Sequence, residues 1–157
     1  AAARAQIPLR VAGEGPAASA LADLADSIAA PVEFTGRLDR AELRRELHGA
    51  AMLLMPSRYH EFAGYSALEA MAAGVPVIGT TLGALPELLG EERCVPAGDP
   101  HALAARMRML WRDPARRADE GERLIARARE HHDEETYVSR LRELYAPFGE
   151  RVGERRL

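Results

Sequence analysis

Three adjoining stretches decide how this chain folds: Ala51-Met52-Leu53-Leu54-Met55-Pro56-Ser57, then Glu61-Phe62-Ala63-Gly64-Tyr65-Ser66-Ala67-Leu68-Glu69-Ala70-Met71, then Ala73-Gly74-Val75-Pro76-Val77-Ile78. The unbroken apolar run from Ala51 to Met55 predicts a strand buried on both faces. A glycine-containing loop then leads into an alanine-rich helix start, and Gly74 suits the left-handed stop of that helix. Pro76 to Gly79 predicts the next strand. Strand, loop, helix and strand in this order make a parallel βαβ unit. Polar groups at the carboxyl end of such a strand, beside a helix N-terminus, are where α/β proteins bind ligands.

The same alternation extends in both directions. Leu9 to Ala12 predicts a short strand that stops at Gly13-Glu14-Gly15-Pro16, with Pro16 at the first position of a helix carrying Leu21, Leu24, Ala25 and Ile28 on one face. Pro31 to Thr35 predicts a strand ending at Gly36. Asp39 with Glu42 three residues on forms a capping box, and Leu43 and Leu47 supply the apolar face of the helix it opens. A short helix is expected around Pro86 to Leu89 and a short strand at Cys94-Val95. Asp99-Pro100 opens a helix striped by Leu103, Met107, Leu110 and Trp111. From Pro114 to about Tyr145 the pattern is helical, with a break near His132-Asp133 and with Tyr137, Leu141, Leu144 and Tyr145 on one face. Gly149 to Leu157 is charged and aperiodic, which predicts a frayed tail. The fold class is therefore α/β: a Rossmann-like parallel sheet with helices on both faces and a helical C-terminal extension.

Composition narrows the function. The chain has 157 residues and a net charge of −3, which provides no general attraction to nucleic acid or to anionic membranes. All 21 basic residues are arginine, so chemistry that depends on lysine, such as a Schiff base or a P-loop, is excluded. The single cysteine, Cys94, rules out an internal disulfide and fits a reducing compartment. No apolar run approaches the ~18 residues of a membrane span, and the start lacks a signal-peptide pattern, so a cytoplasmic location is expected.

Glu61 and Glu69 lie eight positions apart. On one continuous helix that separation is roughly 80° and ~12 Å, too far to converge on one small group. With Glu61 in the loop and the helix starting near Ser66, both can face one cleft from different levels. Ser66-Ala67-Leu68-Glu69 is itself a capping-box pattern, so the Glu69 carboxylate either caps the Ser66 amide or binds a ligand, or does both with different oxygens. His131-His132 with Asp133-Glu134-Glu135 is a solvated helix junction rather than a metal site, because adjacent histidines diverge on a helix. No metal site is expected.

Pro56-Ser57, Glu61, Glu69 and Ala70-Met71-Ala72-Ala73-Gly74-Val75-Pro76-Val77 together resemble the signature of the retaining, nucleotide-sugar-dependent group 1 glycosyltransferases (family four, GT-B fold). Four further landmarks fall in the same order: Val11-Ala12-Gly13-Glu14-Gly15-Pro16, Val32-Glu33-Phe34-Thr35-Gly36, Gly83-Ala84-Leu85-Pro86-Glu87 and Val95-Pro96-Ala97-Gly98-Asp99. The resemblance covers residues 7 to 146 and implies the C-terminal, donor-binding half of such a fold. It implies that Glu69 binds the ribose hydroxyls and that Glu61 is the catalytic-site carboxylate orienting the donor sugar. The amides of Ala63, Gly64, Tyr65 and Ser66 would hold the sugar and distal phosphate, and Gly36-Arg37-Leu38 would cradle the base. Gly13 and Gly15 would border the donor, as would Gly83 and Glu87. No cofactor is implied; the donor substrate is a nucleotide diphosphate sugar of unread base. The acceptor, a glycan, lipid or small molecule, would be held by an N-terminal domain absent from this chain, through which peripheral membrane contact stays open.

Two departures from the family accompany the match. The family often has an aromatic residue just before the loop glycine, where this chain has Ala63 preceded by Phe62. The family's diphosphate-binding arginine and lysine lie on an opening strand and helix upstream of the Val11 strand, and Ala1 to Ile7 looks like the last turns of that helix. On this reading residues 1–146 are an N-terminally truncated donor domain and 147–157 a polar tail. A rival reading rests on Gly13-Glu14-Gly15-Pro16-Ala17-Ala18, which fits G-x-G-x-x-A after a strand with Glu33 twenty residues on from Gly13, as a dinucleotide (NAD-type) site asks. Against it, Glu33 falls inside its strand rather than at the end.

Overall fold

Hydrophobic alternation along one strand, β4 (Val77–Thr80), organises the whole core. Val77 and Ile78 are both fully buried but point to opposite faces. Val77 joins a cluster with Leu47, Ala67, Ala70, Met71, Leu85, Leu88, Leu89 and Leu124. Ile78 joins Ala2, Ile7, Val95, Met107 and Leu110 on the other side. The computed structural model describes residues 1–153, with side-chain surroundings to residue 148; residues 154–157 of the expected tail lie outside the described residues.

In chain order the elements are α1 (Ala2–Ala5), β1 (Leu9–Ala12), α2 (Ala18–Ser27), β2 (Val32–Gly36), α3 (Arg40–Gly49), β3 (Leu53–Leu54), α4 (Tyr65–Ala72), then β4. They continue with α5 (Leu85–Leu89), β5 (Cys94–Val95), α6 (Pro100–Arg112), α7 (Pro114–His132) and α8 (Glu134–Gly153). All strand pairs are parallel, with Leu9 opposite Val32, Leu53 opposite Val77, and Gly79 opposite Cys94.

The expected α/β architecture is present, and its local signals hold where the chemistry is local. Asp39 accepts from Ala41 N and Glu42 N at 2.8 Å while Glu42 bonds back to Asp39 N, a complete capping box. Asp99 accepts from His101 N and Ala102 N at 2.9 Å ahead of Pro100. The helical break falls at Asp133, whose carboxylate accepts from Glu135 N and Thr136 N to start α8.

Four expectations change. The parallel sheet is in two pieces, β2-β1 and β3-β4-β5. For that reason the Ala51 to Met55 run is only half-buried and just Leu53-Leu54 is strand: β3 has a neighbour on one side only. Pro16 lies in a turn, and α2 starts at Ala18, because a Gly15 O to Ala18 N bond of 3.1 Å closes a turn first. The charged stretch from Gly149 is not aperiodic at its start, since α8 runs through Pro147 to Gly153.

Between the two sheet pieces lies an apolar groove of about 480 Å³, whose walls include Val11, Phe34, Leu54, Leu24, Ile28 and Leu103. This explains why Leu21 and Leu24 of α2, and Ile28 just after it, stay about half-exposed instead of entering the core. On the opposite face α7 crosses α4 at van der Waals contact: a Cβ on Gly121 would fall 2.2 Å from Gly74 O. Among the described residues no helix is long and apolar enough to cross a membrane.

Candidate functional site

The loop between β3 and α4 is suspended from the end of β4. Thr80, 2% exposed, donates its hydroxyl to Ser57 O at 2.9 Å. Ala84 N donates to Glu61 O at 2.9 Å. Gly83 sits against the same peptide so closely that a Cβ there would lie 2.3 Å from both Glu61 N and Glu61 O. The Glu61 backbone is thus clamped to the turn after β4. Its side chain accepts from Ser57 Oγ at 3.4 Å and from the Tyr59 phenol, and this bond with the carboxylate's charge raises the Tyr59 pKa above its ordinary value.

Helix α4 starts earlier than the sequence pattern suggests. Gly64 is its N-cap, in the left-handed region with φ 58 and ψ 47, and Tyr65 is already helical. A side chain at Gly64 would press on Leu88 Cδ2 at 3.2 Å and Leu85 Cδ2 at 3.3 Å, so packing against α5 sets the turn there. Ser66 therefore stands inside the first turn, and the Ser66-to-Glu69 capping box is absent. Ala67 N and Leu68 N donate to Gly64 O at 2.8 and 3.1 Å, which leaves the Tyr65 and Ser66 amides as free donors at the positive end of the helix.

Glu69 is exposed and makes no hydrogen bond or ion pair among the described residues. It lines a groove of about 330 Å³ between α3 and α4, beside Arg40, Arg44 and His48. Glu61 does not line that groove. The two carboxylates are thus separated, one held in a loop and one free beside three basic side chains.

The second group of expected site residues gathers at the ends of β1 and β2. Gly13 N donates to Gly36 O at 2.7 Å, tying the two loops together. Gly36 has φ 67, Arg37 is exposed and Leu38 half-buried. Gly13, Gly15 and Gly36 to Leu38 therefore share the carboxyl edge of the parallel strands with Ala63 to Ser66, on the other sheet piece. His60 is exposed. Glu33 sits in mid-strand, paired to Arg10 at 2.9 Å, and Arg10 also pairs Glu46 at 2.7 Å. That engagement occupies the carboxylate a dinucleotide ribose would need, so the NAD-type reading is not favoured. Among the described residues no group of three His, Cys, Asp or Glu side chains is placed to hold a metal.

Sequence reasoning missed Thr80 and Tyr59. Thr80 acts on a carbonyl 23 positions away, across a strand pair, and nothing in its local pattern signals that bond.

The fold is that of the GT-B glycosyltransferases. Sucrose-phosphate synthase from Thermosynechococcus elongatus superimposes with a TM-score of 0.81 at 29% identity, over 94% of this chain and 40% of that one. Anabaena Alr3699/HepE in complex with UDP gives 0.81 over 92% of this chain and 43% of that one; at 20% identity it shows the fold alone. The chain belongs to the family described as glycosyl transferases group 1, which matches residues 1–113. A glycogen synthase of Mycobacterium tuberculosis (strain ATCC 25618 / H37Rv) is 34% identical over 157 residues, 95% of this chain and 37% of that protein. A GDP-mannose-dependent monoacylated alpha-(1-6)-phosphatidylinositol monomannoside mannosyltransferase of Corynebacterium glutamicum is 35% identical over 128 residues, 76% of this chain and 34% of that protein. The chain thus spans little more than a third of the length of these relatives.

Proposed function

We propose that this chain is the donor-binding part of a retaining glycosyltransferase that moves a sugar from a nucleotide diphosphate sugar to an acceptor hydroxyl. The observation that carries the reading is the start of α4: free amides at Tyr65 and Ser66 follow the clamped Glu61 loop, with Glu69 unpartnered one turn on. Amides at a helix start favour a phosphate, and an unpaired carboxylate suits ribose hydroxyls. Glu61, oriented by Ser57 and Tyr59, faces the sugar as a hydrogen-bonding group. Gly36 to Leu38 take the base. Solved relatives carry UDP or UDP-glucose, which supports a nucleotide-sugar donor without fixing the base here.

In this reading the leaving diphosphate departs on the face the acceptor attacks, and its own oxygen takes the acceptor proton. The protein's share is electrostatic, through donors aimed at charge that grows on the phosphate. A paired-carboxylate hydrolysis would need two carboxyl groups flanking one bond about 5–10 Å apart. Glu69 lines the groove between α3 and α4 and Glu61 does not, which gives such a mechanism no support.

The split sheet supports a donor half that lacks one strand–helix unit. From β1 through α2 the chain moves to β2, and α1 and α2 line the same groove. A right-handed crossover that enters β1 through α1 must come from a strand on the other side of β1, facing β3. The groove between Val11 and Leu54 lies there. On this reading the upstream segment fills it, and its carboxyl end lies between the Gly13 and Glu61 loops, at the switch point of the sheet. An acceptor-binding domain then covers the exposed face of α8 formed by Tyr137, Leu144, Tyr145 and Phe148. The enzyme works from the cytoplasm, and the present chain alone binds donor weakly and does not turn over.

Ligand-observed NMR with UDP-, GDP- and ADP-sugars tests the site. One nucleotide class is expected to bind the wild type, and Glu69→Gln to weaken it about tenfold or more, from the ~1.5–3 kcal/mol of a charged hydrogen bond. Equal binding by the variant, or a response to NAD instead, overturns the assignment.

A further inference from the structure

Apart from the Glu69 groove, two cavities of the molecule are walled by charged side chains, and their charge balance differs. The first, about 610 Å³ beside α6 and α7, contains Arg93, Arg106, Arg116 and Arg123. Each of these pairs with a carboxylate: Glu92, Glu120, Asp113 and Asp119 respectively. Its charge is spent internally. The second, about 460 Å³, lies where α5, α7 and α8 meet the outer flank of the Glu61 loop. It presents Arg127, His131, His132 and Arg140 against one carboxylate, Glu87, with Phe62 at the rim.

In the second cavity the two guanidiniums have no carboxylate partner among the described residues, whereas His131 has Glu130 at 3.7 Å. Arg127 donates Nε to Leu88 O at 2.8 Å and one Nη to Glu87 O at 2.5 Å, which anchors it at the carboxyl end of α5 and leaves its second Nη free. Arg140 makes one long bond, 3.4 Å, to His131 O. Among the described residues neither guanidinium pairs with a carboxylate. The nearby acids are otherwise engaged: Asp133 caps α8, and Glu130 lies 3.7 Å from His131 on the helix surface. The His131 and His132 rings are edge to face with centroids 6.3 Å apart, and both line the cavity. Phe62 is 98% exposed, an apolar ring with no partner at the mouth.

We propose that this cavity, on the outer flank of the expected donor loop, is a binding site for a phosphate-type oxyanion. Arg140 and the free Nη of Arg127 ligate the oxyanion, and the His131 and His132 imidazoles donate N–H to it. Phe62 packs on whatever apolar group the phosphate carries. Burial, with the charges of His131, Arg127 and Arg140, lowers the His132 pKa, and Glu87 opposes this. An anion reverses that balance, so binding takes up protons and strengthens as pH falls. The cavity abuts the expected donor loop, since Ala63 and Glu87 also line it, but the proposal takes its ligands from Arg127, His131, His132 and Arg140 alone.

The test is an NMR titration of the five histidines with inorganic phosphate and with phenyl phosphate, at constant ionic strength, between pH 6 and 8. Saturating phosphate is expected to raise the His132 midpoint and leave His48, His60 and His101 unmoved. Arg140→Gln, an exposed position, is expected to weaken phosphate at least tenfold with the fold intact by amide spectrum. Phenyl phosphate is expected to bind more tightly than phosphate, and Phe62→Ala to abolish that difference. Equal movement of all five histidines, an identical response to chloride, or unchanged affinity in Arg140→Gln overturns the site. A nucleotide sugar that shifts α4 amides without moving His132 separates this cavity from the donor site.

Discussion

Gly83 touches the backbone of Glu61 from the turn after β4, with room for no side-chain atom: a Cβ would stand 2.3 Å from Glu61 N and O. Its φ of +61 adds a second reason for glycine, since L side chains rarely adopt that conformation. The Glu61 loop is positioned by contact with another loop, through Gly83, the Ala84 amide and Thr80.

Gly83→Ala is therefore expected to displace the Glu61 loop and cost roughly 1–3 kcal/mol of stability, the range of a strained backbone residue. Thermal unfolding reads the stability loss. A nucleotide-sugar titration should show donor affinity falling more than nucleotide affinity, because the sugar end of the site is what moves. A variant with wild-type Tm and wild-type donor binding would contradict the clamp.

The pair Arg106–Glu120 ties α6 to α7 below the sheet. One guanidinium Nη reaches both carboxylate oxygens at 2.9 Å, and the side chains are only 16% and 10% exposed. Removing one partner strands a buried charge. Arg106→Met is expected to cost about 3–5 kcal/mol, while Arg106→Met with Glu120→Leu returns most of it, since a buried pair gains little over an apolar one. Urea unfolding of the singles and the double, read as a double-mutant cycle, checks this. A double variant as unstable as the Arg106 single would refute it.

Cys94 gives the fold an alkaline limit. Burial, with the charge of Glu92 next in effect, pushes its thiol up to about 11 from the model-compound value of 9.0. Below pH 9 folded and unfolded chains both hold the proton, so the contribution is fully present. As pH rises from 9 through 11 the unfolded thiol ionises first and the contribution is lost. Stability is expected to fall across that window in the wild type and to fall less in Cys94→Ala. Iodoacetamide should label the native thiol at pH 8 far more slowly than the urea-unfolded one. Matching labelling rates would show that the thiol is not shielded.

Most of the fold was legible because its signals are short. Asp39 with Glu42, and Asp99 with Pro100, act within three residues, and both operate as their spacing implies. The break at Asp133 is equally local. The same kind of pattern misled at Ser66 and Glu69. There the capping geometry was available, but Gly64 wedges against Leu85 and Leu88 and starts the helix earlier. The buried-strand reading of Ala51 to Met55 failed for a different reason. Burial on both faces depends on neighbours at both edges, and β3 has one.

Gly13, Gly36, Gly83 and the Glu61 loop could be located along the chain, but how they are held could not. Thr80 to Ser57, Gly83 to Glu61 and Gly13 to Gly36 are each contacts between residues about 20 or more positions apart. A periodic pattern in a short window carries no record of them.

The sequence by itself determined the order of strands and helices, the caps that bound several of them, and membership of the group 1 glycosyl transferases. Those follow from side chains acting on their own backbone within a turn or two, and from motifs spaced along one line. Only the tertiary structure decided that Glu61 is clamped while Glu69 is free, that the sheet opens into an apolar groove, and that one charged cavity is balanced while the other is not. Each of these depends on which distant segments share a surface, and packing, unlike periodicity, is settled by the whole chain at once.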